Sequence, residues 1–359
     1  MVFEKKSVRV FIIILSVYFF FVAIKLMGES FKLFGGGIAE GLMTATSNPL
    51  VGLLIGLLAT SIVQSSSVTT SILVGMVASG VIGLEAAIPI VMGANIGTTI
   101  TNIIVSLGHM RARDEFKKAL AGATVHDFFN IIAVAILLPL EILFHPIEIT
   151  ATILSDLFVG VGGITFASPI NIIVSPVVSV FISLCMGNPI ILLIVALALL
   201  FLTLKSLVTN MRILAIEKIE NFLDVYLFRT ALTAFLVGMV FTAIVQSSSI
   251  TTSLVIPLIG AGVLSVRKMF PYALGANLGT TVTAFLAAMA VSAPIAITLA
   301  LCHFLFNLYG IIIIYPFRAI PIAMAEKFGE FAAKKRRLAI AYIVLSFYII
   351  PIILILLMG

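Results

Sequence analysis

The chain has 359 residues, of which only 36 are charged: 21 Lys or Arg and 15 Asp or Glu. With 62% hydrophobic residues, a mean hydropathy of +1.28 and 10% charged residues, it falls far from the soluble average of about 25% charged. A soluble domain, a disordered chain, a collagen-like fibre and a coiled coil are all excluded by these values, and the solvent is lipid.

The first apolar run, Val10–Met27, follows Lys5, Lys6 and Arg9. It lacks a small-residue cleavage site and contains Phe19, Phe20 and Phe21, so it reads as a transmembrane helix rather than a leader. The basic flank places the N-terminus in the cytoplasm of a multi-pass protein of the cell membrane. Gly28–Ser47 is mixed and Gly-rich, an interfacial segment. Asn48–Leu84 carries no charge and reads as two helices of about 15 residues, each roughly 22 Å long. That is short of the ~30 Å hydrocarbon core, so the stretch is predicted to be a re-entrant hairpin (about 48–84) with Gln64-Ser65-Ser66-Ser67 at its tip. Ala86–Leu107 crosses to a basic loop containing Arg111, Arg113, Lys117 and Lys118. The segments of 141–187, with Pro169 and Pro176, form a linker or scaffold whose membrane path stays open. Pro189–Leu204 leads into the basic stretch Lys205–Arg229. A second uncharged hairpin, about 230–266, ends at Arg267 and Lys268. Met269–Ala290 and Pro294–Phe317 are further crossings, followed by Arg318, Lys327, the run Lys334-Lys335-Arg336-Arg337 and a last apolar segment, Leu338–Met358.

The chain repeats itself. Gln64-Ser65-Ser66-Ser67 recurs as Gln246-Ser247-Ser248-Ser249, an offset of 246 − 64 = 182. At the same offset Gly93-Ala94-Asn95-Ile96-Gly97-Thr98-Thr99 becomes Gly275-Ala276-Asn277-Leu278-Gly279-Thr280-Thr281. Gly56–Thr101 aligned on Gly238–Thr283 gives 21 identities in 46 positions, most of them polar or Gly, which apolar helices do not share by chance. His126-x-x-x-Asn130 and His303-x-x-x-Asn307 echo each other at 303 − 126 = 177. The basic loops place the two hairpins on opposite sides. The predicted fold is therefore an all-α polytopic membrane protein with two inverted-topology repeats, 1–140 and 188–359. Each repeat has a re-entrant helical hairpin and a helix interrupted at its Gly-Ala-Asn-x-Gly segment.

Uncharged Gln, Ser and Thr inside apolar hairpins cost free energy unless they find partners. Interhelical hydrogen bonding accounts for single instances; a duplicated run points to an ion site. Hydroxyls donate to anions and lend oxygens to hard cations, and a hairpin tip offers both a helix C-terminus and a helix N-terminus. For Na⁺ the candidate ligands are Ser65, Ser66, Thr69, Asn95, Thr98 and Thr99, with Ser247, Ser248, Thr251, Asn277, Thr280 and Thr281. An anion entering such an uncharged region must bring its own compensation, which favours an anion carried with Na⁺ over proton relay through Asp127. His126 and His303 read as packing residues, with Asn130 and Asn307 as hydrogen-bond mates one turn along.

Cys185 and Cys302 read as small buried hydrophobes. No transition-metal site, cofactor or catalytic residue is expected. The net charge of +6 is accounted for by membrane orientation, so it implies no nucleic-acid partner. The oligomeric state is open, a dimer included. A Ser-nucleophile enzyme would need a base near each Ser triplet, and the histidines lie far along the chain.

The paired Gln-Ser-Ser-Ser motifs, each followed by Gly-Ala-Asn-x-Gly-Thr-Thr, resemble the type II sodium-dependent phosphate cotransporters over most of Gly41–Phe317. The resemblance implies Na⁺-driven uptake of inorganic phosphate by alternating access. It also implies a phosphate site built from Gln64, Ser65, Ser66, Ser67, Gln246, Ser247, Ser248 and Ser249 near the bilayer midplane. The chain looks like a minimal prokaryotic member, without a soluble regulatory domain or a large loop between the halves. A symporter of another oxyanion or a small carboxylate is the alternative; a cavity Arg, which would favour a carboxylate, is absent from the hairpins.

Overall fold

In a computed structural model, residues 2–34, 36–161, 169–223, 230–291 and 293–359 are described, and no strand occurs among them. The first half runs α1 (Val2–Phe34), α2 (Gly36–Ala45), α3 (Pro49–Val63), α4 (Ser66–Ala78), α5 (Leu84–Gly97), α6 (Ile100–Leu107) and α7 (Arg113–Phe144). Then come α8 (Pro146–Val161), α9 (Pro169–Leu184) and α10 (Pro189–Leu223). The second half holds α11 (Ala231–Val245), α12 (Ser248–Ser253), α13 (Ile256–Gly260), α14 (Val266–Val291) and α15 (Pro294–Ile314). A 3-10 turn (Tyr315–Phe317) leads to α16 (Ala319–Lys334), and α17 (Arg337–Val344) continues through a π turn (Leu345–Ile349) into α18 (Ile350–Met358).

Among the described residues seven helical stretches are long and apolar enough to span a membrane. They are Lys6–Phe34, Leu84–Leu107, Arg113–Phe144, Pro189–Leu214, Val266–Val291, Pro294–Phe317 and Arg337–Met358. Their outward faces carry large apolar side chains such as Ile194, Leu356 and Leu357, as lipid contact requires. Part of the predicted linker (162–168) and the end of the basic stretch Lys205–Arg229 (224–229) lie outside the described residues.

The two hairpins begin alike. Asn48 caps α3, accepting from the Leu50 amide at 3.0 Å, and Pro49 opens the helix. Thr230 caps α11 in a reciprocal box with Thr233. At 15, 13 and 15 residues, α3, α4 and α11 are all short of a full crossing. Each incoming helix is pressed onto the helix that follows its hairpin through paired glycines. A Cβ on Gly56 would sit 1.9 Å from the Ile90 carbonyl oxygen, and one on Gly93 1.8 Å from that of Leu53. The equivalents are Gly238 at 2.2 Å from the Tyr272 oxygen and Gly275 at 1.9 Å from the Phe235 oxygen. Only hydrogen fits at these four positions, so backbone lies directly on backbone.

This packing corrects one expectation. The Gly-Ala-Asn-x-Gly segment does interrupt the first copy, where α5 ends at Gly97 and α6 starts at Ile100, but α14 runs unbroken through Asn277. The glycines there serve close approach to α11, and the i to i−4 ladder survives. The basic stretch after Arg318, to which the sequence reading assigned no element, folds as α16 and packs on α7. Pro321, Ile322, Ala325, Gly329, Ala332 and Ala333 form its buried stripe.

Two ends of the bundle are distinguishable. The base of the second hairpin (Gly262, Leu264, Ser265) shares a 560 Å³ cleft with Lys117, Lys118 and Lys327, beside the start of α14. The base of the first hairpin (Ala78, Ser79) shares a 170 Å³ cleft with Lys25 and with Val291, at the other end of α14. At the end of α7 the buried Glu141 accepts from the amides of Ile147 (2.8 Å) and Glu148 (2.9 Å), capping α8, and His145 pairs with Glu148 at 3.3 Å. These bonds join two helices and account for that carboxylate–imidazole group.

Candidate functional site

Each Gln-Ser-Ser-Ser motif forms the same turn. Gln64 (φ 56°) and Gln246 (φ 60°) adopt the left-handed conformation that ends a helix, a region non-glycine residues seldom enter. Ser65 and Ser247 then cap the next helix, accepting from the Val68 amide at 3.4 Å and the Ile250 amide at 3.3 Å. Thr70 and Thr252 bond back to the carbonyls of Ser66 (2.8 Å) and Ser248 (2.7 Å). Thr69 and Thr251 bond back to those of Ser65 (3.3 Å) and Ser247 (2.8 Å).

The tips meet each other and the opposite half. The Ser67 hydroxyl donates to the Gln246 carbonyl at 3.1 Å and lies 3.3 Å from the Thr283 hydroxyl. Ser249 donates to the Thr98 carbonyl at 3.4 Å, where α5 gives way to α6. Thr252 donates to the Asn102 side-chain oxygen at 3.0 Å. Ser66 and Ser248 stand apart. They are equivalent in the repeat and only 4% and 2% exposed, and neither hydroxyl makes a hydrogen bond within the described protein. They are not alone in this: among the described residues the enclosed hydroxyls of Ser71, Thr101 and Thr242 also lack a partner, so what sets Ser66 and Ser248 apart is their equivalent place at the two tips.

The two glutamines differ. Gln246 is buried, accepts from Thr283 at 2.7 Å and donates to the Ala243 carbonyl. Gln64, expected at the site with the same role, has an exposed side chain with no such bonds. Of the threonines, Thr98, Thr280 and Thr281 donate to their own helices, to the carbonyls of Ala94, Ala276 and Leu278. Their oxygens retain lone pairs but their hydroxyl protons are committed.

Beneath the tips lies an amide network. The α5–α6 interruption frees the Asn95 carbonyl, which accepts from the Asn130 side chain at 2.8 Å. The Asn277 side chain donates to the side-chain oxygens of Asn130 (3.0 Å) and Asn307 (2.7 Å). Asn307 donates to the His303 carbonyl at 3.0 Å. The expected pairing of Asn130 and Asn307 with the imidazoles is therefore absent: His126 and His303 are buried, and their ring nitrogens bond to neither amide.

The sequence offers Asp127 only as a disfavoured proton relay. It is fully buried, accepting from Thr99 at 2.7 Å and from the Tyr342 hydroxyl, and among the described residues no Lys or Arg pairs with it. The C-terminal segment closes this side, with Tyr348 donating to the Ser61 carbonyl at 3.1 Å. Tyr342 and Tyr348 carried no motif; their spacing and polarity inside an apolar run were the only signal. Thr283 lay within the duplicated run.

Duplicated motifs meeting in an uncharged cluster of hydroxyls and amides, within a polytopic helical bundle, define a membrane protein with an internal polar site. The comparisons place it further. The family model described as Na+/Pi-cotransporter matches residues 19–208 and 199–311, and the chain belongs to this family. It is 34% identical to sodium-dependent phosphate transport protein 2B of Pongo abelii and of Homo sapiens, covering 96% of this chain and 64% of each relative. It is also 34% identical to sodium-dependent phosphate transport protein 2A of Ovis aries, covering 93% of this chain and 65% of the relative. The chain thus spans just under two thirds of the length of these relatives. No solved structure matches.

Proposed function

We propose that this chain is a transporter, not an enzyme: a Na⁺-coupled symporter of inorganic phosphate working by alternating access in the cell membrane, with the two hairpin tips as its substrate and ion site. The observation that carries the reading is the pair Ser66 and Ser248: repeat-related, buried, and with hydroxyls left unpaired by the protein. Phosphate oxygens would supply the missing acceptors, and the names of the relatives specify sodium and phosphate. Ser65, Ser67, Ser247, Ser249 and Gln246 complete the phosphate shell, while Gln64 joins it only in another state. Na⁺ would take oxygens from the tips and the helix interruption: Ser65, Ser66, Thr69, Asn95, Thr98 and Thr99 on one side, Ser247, Ser248, Thr251, Asn277, Thr280 and Thr281 on the other. To these we add Asp127, whose carboxylate accepts from Thr99 and Tyr342 but has no Lys or Arg partner among the described residues. A buried carboxylate without a basic partner is costly unless a cation visits it.

The repeats 1–140 and 188–359, joined by 141–187, are read as inverted. Supporting this, the hairpin bases sit beside opposite ends of α14. The unlike environments of Gln64 and Gln246 are those expected of one member of an alternating pair of states. The N-terminus is placed inside by its basic flank.

Hydroxyl donors suit any tetrahedral oxyanion, so sulfate and arsenate are the competitors to test. The purified protein should gain thermal stability from phosphate in Na⁺ but not in K⁺. Equal stabilisation by phosphate in both salts would reject Na⁺ coupling, and stabilisation by sulfate alone would reject phosphate.

A further inference from the structure

At the end of the molecule that carries the second hairpin's base lies a basic cleft that the transport reading does not use. It is about 610 Å³, formed by Arg113 at the start of α7 and by Lys334, Lys335, Arg336, Arg337 and Leu338 where α16 turns into α17. Five cationic side chains face one small volume. Lys334 is answered by Glu330 at 3.3 Å, and that same carboxylate lies 3.9 Å from Lys117. Arg336 donates to the Arg111 carbonyl at 3.2 Å, which pins the start of α17 to the loop before α7 and fixes the shape of the cleft. Among the described residues, Arg113, Lys335 and Arg337 have no carboxylate within ion-pair distance. Glu330 acts on Arg113 from beyond ion-pair distance and is already shared by Lys334 and Lys117, so the like charges of the cleft repel one another, and an anion in it relieves that repulsion.

The chain beyond the cleft says which anion. Arg337 opens the last apolar span, Arg337–Met358, so the cleft sits where that span leaves the hydrocarbon. Running away from it, Ile340, Val344 and Leu345 are 47%, 40% and 44% exposed, an apolar ridge on the helix surface. A free oxyanion would use the charges and ignore the ridge. A phospholipid uses both, with its phosphate among the arginines and lysines and its acyl chains along the ridge. Basic clusters at the end of a span draw anionic headgroups, and Arg forks match phosphate oxygens two at a time.

We propose that this cleft is a binding site for an acidic phospholipid of the surrounding leaflet, seated by Arg113, Lys335 and Arg337 and shaped by the Arg336–Arg111 bond. The site is separate from the hairpin tips, and the proposal does not depend on what the tips transport.

The test is native mass spectrometry of the full-length protein, purified with an equimolar mixture of phosphatidylglycerol and phosphatidylcholine of matched acyl chains. The wild type should retain phosphatidylglycerol in preference. The double variant K335Q/R337Q, and separately R113Q, should each cut that preference by about fivefold or more. Lys268→Gln, at the same end but outside the cleft, should leave it unchanged. All of these residues are exposed, and gel filtration identifies any variant that has lost its fold. No preference in the wild type, or one undiminished in both cleft variants, would overturn the proposal. Abolition of the preference by millimolar inorganic phosphate would assign the cleft to the free anion instead.

Discussion

Two serines without partners decide most at the residue scale. Ser66→Ala and Ser248→Ala remove one hydroxyl each and leave no stranded donor, because neither hydroxyl bonds within the described protein. Phosphate uptake should therefore fall at least about tenfold in each, the equivalent of one charge-assisted hydrogen bond in a dry site. Thermal stability should stay near wild type; a variant that transports normally would remove its serine from the site. Gln246→Ala should behave differently, because it also removes the buried Thr283 hydroxyl's shortest bond and leaves it only the 3.3 Å contact with Ser67, so stability and uptake should both drop. Asp127→Asn keeps the acceptor facing Thr99 but removes the charge. The Na⁺ concentration for half-maximal uptake should rise several-fold with the phosphate KM little changed. An unaltered Na⁺ dependence would exclude Asp127 from cation binding.

Elements are held by the four contact glycines. Gly93→Ala or Gly275→Ala would force helices apart at 1.8 and 1.9 Å overlaps with backbone oxygens, which cannot rotate away. Overpacking of a close interface costs about 1–3 kcal/mol, so each should lower the melting temperature clearly. Gly28→Ala, where a Cβ would meet nothing within 4 Å, should be neutral. Equal melting temperatures for all three would show that the close approach carries no stability. This scale is also where the sequence was read unevenly. The hairpins were legible because their lack of charge, their short length and the duplicated polar run agreed. The interruption at Asn277 was misread because Gly has two uses, breaking a helix and letting another approach: both copies use Gly93 and Gly275 for close approach, and only the first is also interrupted. The amphipathic helix α16 was overlooked because basic residues on its exposed face outweighed a buried stripe made largely of small residues. Asp127 and Tyr342 meet across 215 positions, and no local pattern announces such a pair.

For the whole molecule, the central reading is of two related halves that face opposite ways and share one site. The hairpin bases offer a direct check of orientation. Both native cysteines are buried, so single cysteines introduced at Ser79 and Ser265 can be labelled selectively. In intact cells a membrane-impermeant maleimide should reach Ser79→Cys, and Ser265→Cys should react only after the membrane is opened. Labelling of both from one side would rule out inverted hairpins. The duplication itself was fully visible in the sequence at an offset of 182, 246 − 64, because polar identities mark common descent where apolar ones do not. Which glutamine is buried was not visible, since identical motifs occupy different environments in any one conformation.

The most direct measurement is radiolabelled phosphate uptake by the purified chain in proteoliposomes, with an inward Na⁺ gradient and a K⁺ gradient as control. Saturable uptake that requires Na⁺, and that Ser66→Ala and Ser248→Ala both lose, is the predicted result. Phosphate uptake that ignores the Na⁺ gradient, or no phosphate uptake where sulfate or a carboxylate is accumulated, would contradict it.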